Sequence, residues 1–169
     1  MSYLDFVMSE VHGLRVKELL AAKANGRKVI GAFCLFVPEE IVLAADAIMV
    51  GLCTGADFAL EEVEKLLPRN TCSLIKSAFG FKLSRVCPFL EAADMVVGEN
   101  TCDGKKKAYE QLKELIPNFY VMDLPQQKTA IGRQLLRQEY QHFLDAVAEL
   151  TGVEITAARW RCLTGKSPG

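Results

Sequence analysis

The sequence predicts an α/β fold, a Rossmann-like layered domain in which a mostly parallel sheet of about four strands carries helices on both faces. Short apolar runs that suit buried strands alternate with helical patterns along the chain. These runs are apolar at nearly every position, as parallel strands are when helices cover both faces of the sheet. Hydrophobic residues make up 50% of the 169 residues and charged residues 24%, so a sizeable core can be buried.

The first half of the chain predicts three helices and two strands. The amphipathic pattern over Tyr3–Ala24 indicates a helix that Asn25-Gly26 ends. Pro38 opens a second helix, and Glu39 and Glu40 in its first turn suit the positive end of the helix dipole. This helix is predicted over 39–47, strands over 28–33 and 48–52, and a third helix over 59–67, which Pro68 stops.

The second half predicts two further strands and a long closing helix. Gly80 lies near the predicted end of a helix over 72–81, and Gly152 caps the long helix at its carboxyl end. The predicted elements are helices over 72–81, 103–116 and 126–150, a turn or short helix over 88–92, and strands over 94–98 and 118–122.

Charge and hydropathy exclude several classes of protein. Twenty basic and 21 acidic residues give a formal charge of −1, so neither a nucleic acid nor an anionic membrane is predicted as a partner. Charged residues interrupt the first 20 positions, as they would not in a signal peptide. The most apolar stretch, 41–53, contains Asp46 and falls short of the roughly 20 apolar residues that a membrane span needs. The expected location is therefore the cytoplasm.

Six cysteines are many for a cytoplasmic chain of this length, where disulfides are rare. Two interpretations remain open, namely buried apolar thiols and metal ligands. Cysteines 34, 53, 72, 87 and 102 are separated by 19, 19, 15 and 15 residues, and each follows a predicted strand or opens a predicted helix. Each could therefore lie near the rim beyond the carboxyl ends of the strands, where open α/β sheets bind ligands.

The helix starts strengthen the metal-ligand interpretation, because a helix N-terminus stabilises a thiolate and offers N–H groups to cluster sulfurs. The chain has no Cys-x-x-Cys pair, so the compact zinc and ferredoxin spacings are absent. Zinc binding by Cys72, Cys87 and Cys102 stays possible. Cys162 is interpreted as structural, and His12 and His142 are interpreted as surface or structural residues. The run 105–107, all lysine, is interpreted as a solvated helix face or a site for a partner or an anionic substrate.

Several segments together resemble one known family. The most specific runs from Asp94 to Lys107 and contains Val97-Gly-Glu-Asn-Thr-Cys102-Asp-Gly. The others are Gly31-Ala-Phe-Cys-Leu-Phe-Val-Pro-Glu-Glu-Ile41, Leu67-Pro-Arg-Asn-Thr-Cys72-Ser-Leu-Ile-Lys-Ser77, Gly80-Phe81, Cys87-Pro88, Tyr109-Glu110 and Tyr120-Val-Met-Asp-Leu-Pro125. Over about residues 10 to 155 the chain resembles the 2-hydroxyacyl-CoA dehydratase and benzoyl-CoA reductase family of the D-component type. The nearest branch is the double-cubane cluster proteins.

The resemblance implies a subunit with an iron–sulfur cluster, either a 4Fe-4S cluster or a double cubane, between two Rossmann-like domains. It implies an ATP-hydrolysing iron–sulfur activator as electron donor and an identical or homologous subunit as partner. It also implies radical dehydration of a 2-hydroxyacyl-CoA or reduction of a small molecule. Carried onto this chain, Cys72 and Cys102 are similar to the first-domain cluster ligands, Cys87 and Cys34 to positions that are cysteine in the double-cubane branch, and Cys53 ranks lowest.

The chain departs from the family pattern in three ways. It is less than half the length of a family subunit, and Asp46 stands where the family has a small glycine. After Gly152-Val-Glu-Ile-Thr156 the tail no longer resembles the family. We therefore expect a cluster-binding N-terminal α/β domain over 1–155 and a divergent tail over 156–169 that marks a truncation. The alternative hypothesis is an inactive domain that only binds a partner subunit, through an apolar surface.

Overall fold

The computed structural model describes residues 2–7, 10, 13–33, 36–52 and 60–156. Within these ranges four strands form one wholly parallel sheet in the order β2-β1-β3-β4, which confirms the predicted α/β class. The described elements are α1 (Tyr3–Phe6), α2 (Gly13–Ala24), β1 (Val29–Phe33), α3 (Glu39–Ala44), β2 (Ile48–Gly51), α4 (Leu60–Leu66), α5 (Ser73–Ser84), α6 (Pro88–Ala92), β3 (Met95–Glu99), α7 (Asp103–Leu115), β4 (Phe119–Met122) and α8 (Ala130–Thr151).

Helices cover both faces of the sheet, as predicted. On one face, Ile30 of β1 and Val97 of β3 pack with Val42 of α3 and with Phe143 and Val147 of α8. Because helices cover both faces, β1 and β3 are buried at every position. Strands buried on both faces need no alternation of polar and apolar residues, which is why their sequences are nearly continuous apolar runs.

The opposite face carries α4 to α7. Phe33 of β1 and Val96 of β3 pack there with Val63 of α4, Phe79 of α5 and Leu112 of α7. The chain leaves β1 toward β2 on one side and β3 lies on the other, so the strand order reverses between β1 and β3. That reversal is where a sheet of this kind opens a crevice at the carboxyl ends of its strands.

Most predicted boundaries differ from the structure by only a few residues. The predicted helix over 39–47 ends at Ala44, and α5 continues past Gly80 to Ser84. Within a helix a glycine costs only about 1 kcal/mol relative to alanine, so it need not end one. The long helix begins at Ala130 rather than at 126, because the Thr129 hydroxyl caps it by accepting the N–H of Gly132 at 3.0 Å.

The amphipathic pattern over 3–24 corresponds to α1 and α2, and His12 lies outside the described residues. The predicted cap is confirmed, since Gly152 adopts a left-handed φ of 69° and donates its N–H to Ala148. None of the helices in the described ranges combines the length and apolar composition that a membrane span requires.

Asp46 adopts a left-handed backbone conformation, with φ of 56°. This explains why a glycine suits the position, since glycine adopts positive φ without steric cost. The aspartate is held by Arg27, whose Nε donates to the Asp46 carbonyl at 3.0 Å and whose guanidinium lies 3.3 Å from the carboxylate.

We expect Asp46→Val to lower the free energy of unfolding by about 1–2 kcal/mol, because a β-branched side chain is strained at positive φ. Asp46→Gly removes only an exposed ion pair and should change stability by less than about 1 kcal/mol. Urea unfolding of the two variants distinguishes them, and equal losses would contradict the backbone explanation.

Candidate functional site

Cys72 and Cys102 line one cleft of about 350 Å³. Both residues are exposed, and neither is in a disulfide. Ile75 of α5 and Gly104 and Lys107 of α7 are also in the lining. The two cysteines that the sequence ranked first, 30 positions apart, are therefore brought to the same place on the surface.

Each of these cysteines is the residue that immediately precedes a helix. Cys72 is the N-cap of α5 and Cys102 is the N-cap of α7, and neither side chain makes a capping hydrogen bond. Both thiols thus lie at the positive ends of helix dipoles, where an anionic group is favoured. The predicted position of Cys102, between β3 and the following helix, is confirmed.

A buried ion pair supports the loop that carries Cys102. Lys105, in the first turn of α7, donates to the carboxylate of Glu99, the last residue of β3, and to the Thr101 hydroxyl at 3.0 Å. Glu99 is fully buried and only 13% of the Lys105 side chain is exposed. The interpretation of Lys105 as part of a solvated face is therefore wrong, whereas Lys106 and Lys107 are exposed as predicted.

Asn100 joins the ends of β3 and β4. Its backbone N–H donates to the Met122 carbonyl at 3.1 Å, and its side-chain oxygen accepts the N–H of Leu124 at 2.8 Å. Its side-chain nitrogen donates to the Asp123 carboxylate. These contacts fix the carboxyl edge of the sheet two residues before Cys102.

Two glycines allow α7 to approach its neighbours. A Cβ atom at Gly98 would lie 2.5 Å from Cζ of Tyr109, so the Tyr109 ring packs directly on the strand backbone. A Cβ at Gly104 would lie 3.1 Å from Cδ1 of Ile75 in α5. The second contact seats the start of α7 against α5 and so brings the two cysteine loops together.

A second lysine supports the loop that carries Cys72. Lys76, which is buried, donates to the Arg69 carbonyl at 2.6 Å and to the Glu64 carboxylate of α4 at 2.7 Å. The hydrogen bond from Lys76, reinforced by its charge, holds the pKa of the Glu64 carboxyl below its usual range. The connection between α4 and α5 is thereby tied to the helix that Cys72 begins.

Cys87, the remaining cysteine among the described residues, does not line this cleft. Cys87 precedes α6, as predicted, but it is half-buried and packs against the apolar cluster around Phe79. Cys34, Cys53 and Cys162 lie outside the described residues. Across the described ranges, no three His, Cys, Asp or Glu side chains group as a metal site, so Cys72, Cys87 and Cys102 do not form the zinc triad that the spacing left possible.

The two lysine contacts and the Asn100 bridge escaped the sequence analysis. Glu99 and Lys105 lie in β3 and α7, and Glu64 and Lys76 lie in α4 and α5, so the periodicity of a single helix or strand cannot pair them. Only the packing of the finished fold joins these side chains. The one available signal was the buried strand-end acid in Val97-Gly-Glu-Asn-Thr-Cys102, because a charge at a buried position needs a partner.

Comparison with known proteins identifies relatives of one kind. The family described as 2-hydroxyglutaryl-CoA dehydratase, D-component, matches residues 34–162. The Escherichia coli (strain K12) protein YjiM, which is named as a dehydratase subunit, is 45% identical to this chain over 135 residues. The aligned region covers 79% of this chain and 35% of the length of YjiM.

Two further relatives have more specific names. The (R)-phenyllactyl-CoA dehydratase beta subunit of Clostridium sporogenes is 28% identical over 78% of this chain and 35% of its own length. The (R)-2-hydroxyglutaryl-CoA dehydratase subunit beta of Acidaminococcus fermentans is 26% identical over 83% of this chain and 38% of its own length. The chain thus spans little more than a third of the length of the curated relatives it matches.

Proposed function

The chain belongs to the 2-hydroxyglutaryl-CoA dehydratase D-component family, and on that premise we propose that it is the α/β domain of an iron–sulfur subunit in which Cys72 and Cys102 ligate the cluster. In this proposal the subunit accepts low-potential electrons from an ATP-hydrolysing activator protein. It uses them for radical dehydration of a 2-hydroxyacyl-CoA or, as in the double-cubane branch, for reduction of a small molecule.

The observation that carries the proposal is the shared cleft of Cys72 and Cys102. Iron–sulfur clusters are held by cysteine thiolates, most often four. Two thiols in one cleft supply half of such a set. Cys34 and Cys87 are proposed as second-rank ligands from the family resemblance alone, since Cys87 does not line the cleft. A cluster bound here would supply one-electron transfer, while the protein would set its potential and its access to solvent.

The residues around the cleft suit an anionic iron–sulfur group. The N-termini of α5 and α7 flank the two thiols, and the lining contains one cationic side chain, Lys107, and one anionic side chain, Asp103. Ile75 gives the cleft an apolar side. Positive helix ends favour the thiolate form of the two cysteines, which is the form that ligates iron.

The substrate and partner are proposed from the family. Two relatives are named for (R)-phenyllactyl-CoA and (R)-2-hydroxyglutaryl-CoA, both 2-hydroxyacyl thioesters, and both are beta subunits. We therefore propose an acyl-CoA of this class as the substrate and an identical or homologous subunit as the partner.

Anaerobic reconstitution with iron and sulfide tests the ligands. We expect Cys72→Ser and Cys102→Ser each to weaken iron binding at least about 10-fold, since even changes outside the ligand shell reach that size. In both variants the amounts of bound iron and acid-labile sulfide should fall together, and the visible absorption of the iron–sulfur cluster should fall with them. Cys162→Ser serves as the matched control and should retain all three. Variants that bind as much iron as the unchanged protein would refute the assignment, and metal without sulfide would indicate a mononuclear site.

One observation favours a second function, that of a subunit-interaction module. Phe36, which is 55% exposed, lines a groove of about 460 Å³ together with Leu124, Pro125, Leu136 and Tyr140. Apolar grooves of this kind are typical of protein interaction sites. This function predicts a colourless protein that self-associates after anaerobic purification, whereas the cluster proposal predicts a brown one.

A further inference from the structure

We propose that Lys76 and Lys105 are positioning residues, each of which holds the loop that presents one thiol to a shared metal centre. The inference rests on the two-cysteine site of the proposed function. Lys76 lies four residues after Cys72 and Lys105 three residues after Cys102. Both lysines lie near the start of a cysteine-capped helix, and both reach back to contact the chain that precedes the cysteine.

Lys76 connects three pieces of the chain around Cys72. Its ammonium lies 2.6 Å from the Arg69 carbonyl oxygen in the loop and 2.7 Å from the Glu64 carboxylate in α4. Residues 68–70 of the loop are exposed, and without such an anchor the loop would leave the Cys72 thiol free to move relative to α7. The lysine thus fixes the loop to both helices that flank it.

Lys105 does the same for the loop around Cys102. Its ammonium binds the buried Glu99 carboxylate at the end of β3 and the Thr101 hydroxyl immediately before the cysteine. One side chain of α7 therefore contacts both the end of β3 and the loop that connects β3 to α7. The thiol of Cys102 is held relative to the sheet, and through Gly104 and Ile75 the start of α7 is held relative to α5.

The placement of the two lysines disfavours a purely structural explanation. A cation near a helix N-terminus opposes the helix dipole, and burial of an ammonium costs free energy that an apolar side chain would not. Sequences break such local rules chiefly where a site requires it. Both exceptions occur beside the same cleft, one for each of its cysteines.

Cadmium ions provide a test that needs no cluster. In the full chain, Cd²⁺ should protect Cys72 and Cys102 together from alkylation by iodoacetamide, with each cysteine followed by peptide mass spectrometry. We expect Lys76→Met to raise the Cd²⁺ concentration for half-protection by about 10- to 100-fold, the usual effect of removing a residue that orients a ligand. Lys76→Arg, which keeps the charge and the donors, should recover most of that shift.

Lys82→Met is the matched control, because Lys82 lies in the same helix and pairs with Glu91 at 2.9 Å. It should leave the half-protection concentration unchanged. The double variant Glu99→Leu/Lys105→Met removes the second anchor without leaving a buried charge, and it should show a shift like that of Lys76→Met. It also keeps the proposal testable if Lys76→Met does not fold.

The outcomes separate this inference from the proposed function. If Cys72→Ser and Cys102→Ser abolish joint protection but Lys76→Met and the double variant match Lys82→Met, the positioning role is refuted and the thiol pair stands. If the lysine variants shift protection while no variant or control assembles iron and sulfide, the positioning role stands and the cluster proposal fails. If Cd²⁺ protects the two cysteines independently, both fail.

Discussion

We expect Lys105→Met to lower the free energy of unfolding by about 3–5 kcal/mol, the usual cost of breaking a buried ion pair from one side. The substitution leaves the Glu99 carboxylate fully buried without its ammonium. Its second oxygen, Oε2, already has no hydrogen-bond partner within the described part of the chain, so no neighbouring donor there compensates for the loss. Urea unfolding monitored by circular dichroism measures the change.

The partner substitution and the double variant complete this prediction. Glu99→Leu should cost less than Lys105→Met, because the lysine stem is long enough for its ammonium to turn toward solvent. Glu99→Leu/Lys105→Met should lower the free energy of unfolding by less than the sum of the two single losses, because apolar residues can replace both members of a buried ion pair with little loss. Additive losses in this double-mutant cycle would show that the two side chains do not interact.

The sequence could predict the layers of the fold and the starts of its helices. Pro88 after Cys87 and Asp103 after Cys102 mark helix starts by local chemistry, and α6 and α7 begin at those residues. The apolar runs of β1 and β3 indicate burial on both faces. These features depend on neighbours a few residues away, which is why the chain itself displays them.

The support of the site could not be predicted in the same way. The contacts of Lys76 and Lys105 depend on where α4 lies beside α5 and where β3 ends beneath α7, which only the complete packing decides. Lys105 is preceded by glycine and followed by two lysines, and local pattern alone makes it a surface residue. A buried lysine is recognised only when its partner is known.

The signature around Cys102 has a physical meaning at nearly every position. Gly98 leaves room for the Tyr109 ring, Glu99 binds Lys105, and Asn100 joins two strands. Thr101 accepts from Lys105, and Gly104 admits Ile75. The segment therefore determines where the thiol stands, and changes at residues that never touch a bound group should still alter the site.

Gly98→Val is the sharpest such change, and we expect it to lower the free energy of unfolding by about 3 kcal/mol. Strand propensity alone predicts the opposite, because valine favours strands and glycine does not. However, the new Cβ would lie 2.5 Å from Cζ of Tyr109. That ring cannot retreat easily, since Phe33 and Phe119 pack on it with centroid distances of 6.2 and 5.1 Å.

Gly51→Val is the matched control for this prediction. Gly51 lies in β2 of the same sheet, and a Cβ there would meet nothing within 4 Å. Strand propensity should then decide the result, so we expect no loss and a gain of up to about 1 kcal/mol in urea unfolding. If the two valine variants lose equal stability, glycine is required by the strand backbone, and the contact between Gly98 and Tyr109 does not place α7. Suppose instead that only Gly98→Val loses stability, and that its Cys102 alkylates faster, relative to Cys72, than Cys102 of the unchanged protein does. The contact between Gly98 and Tyr109 then sets the position of the thiol.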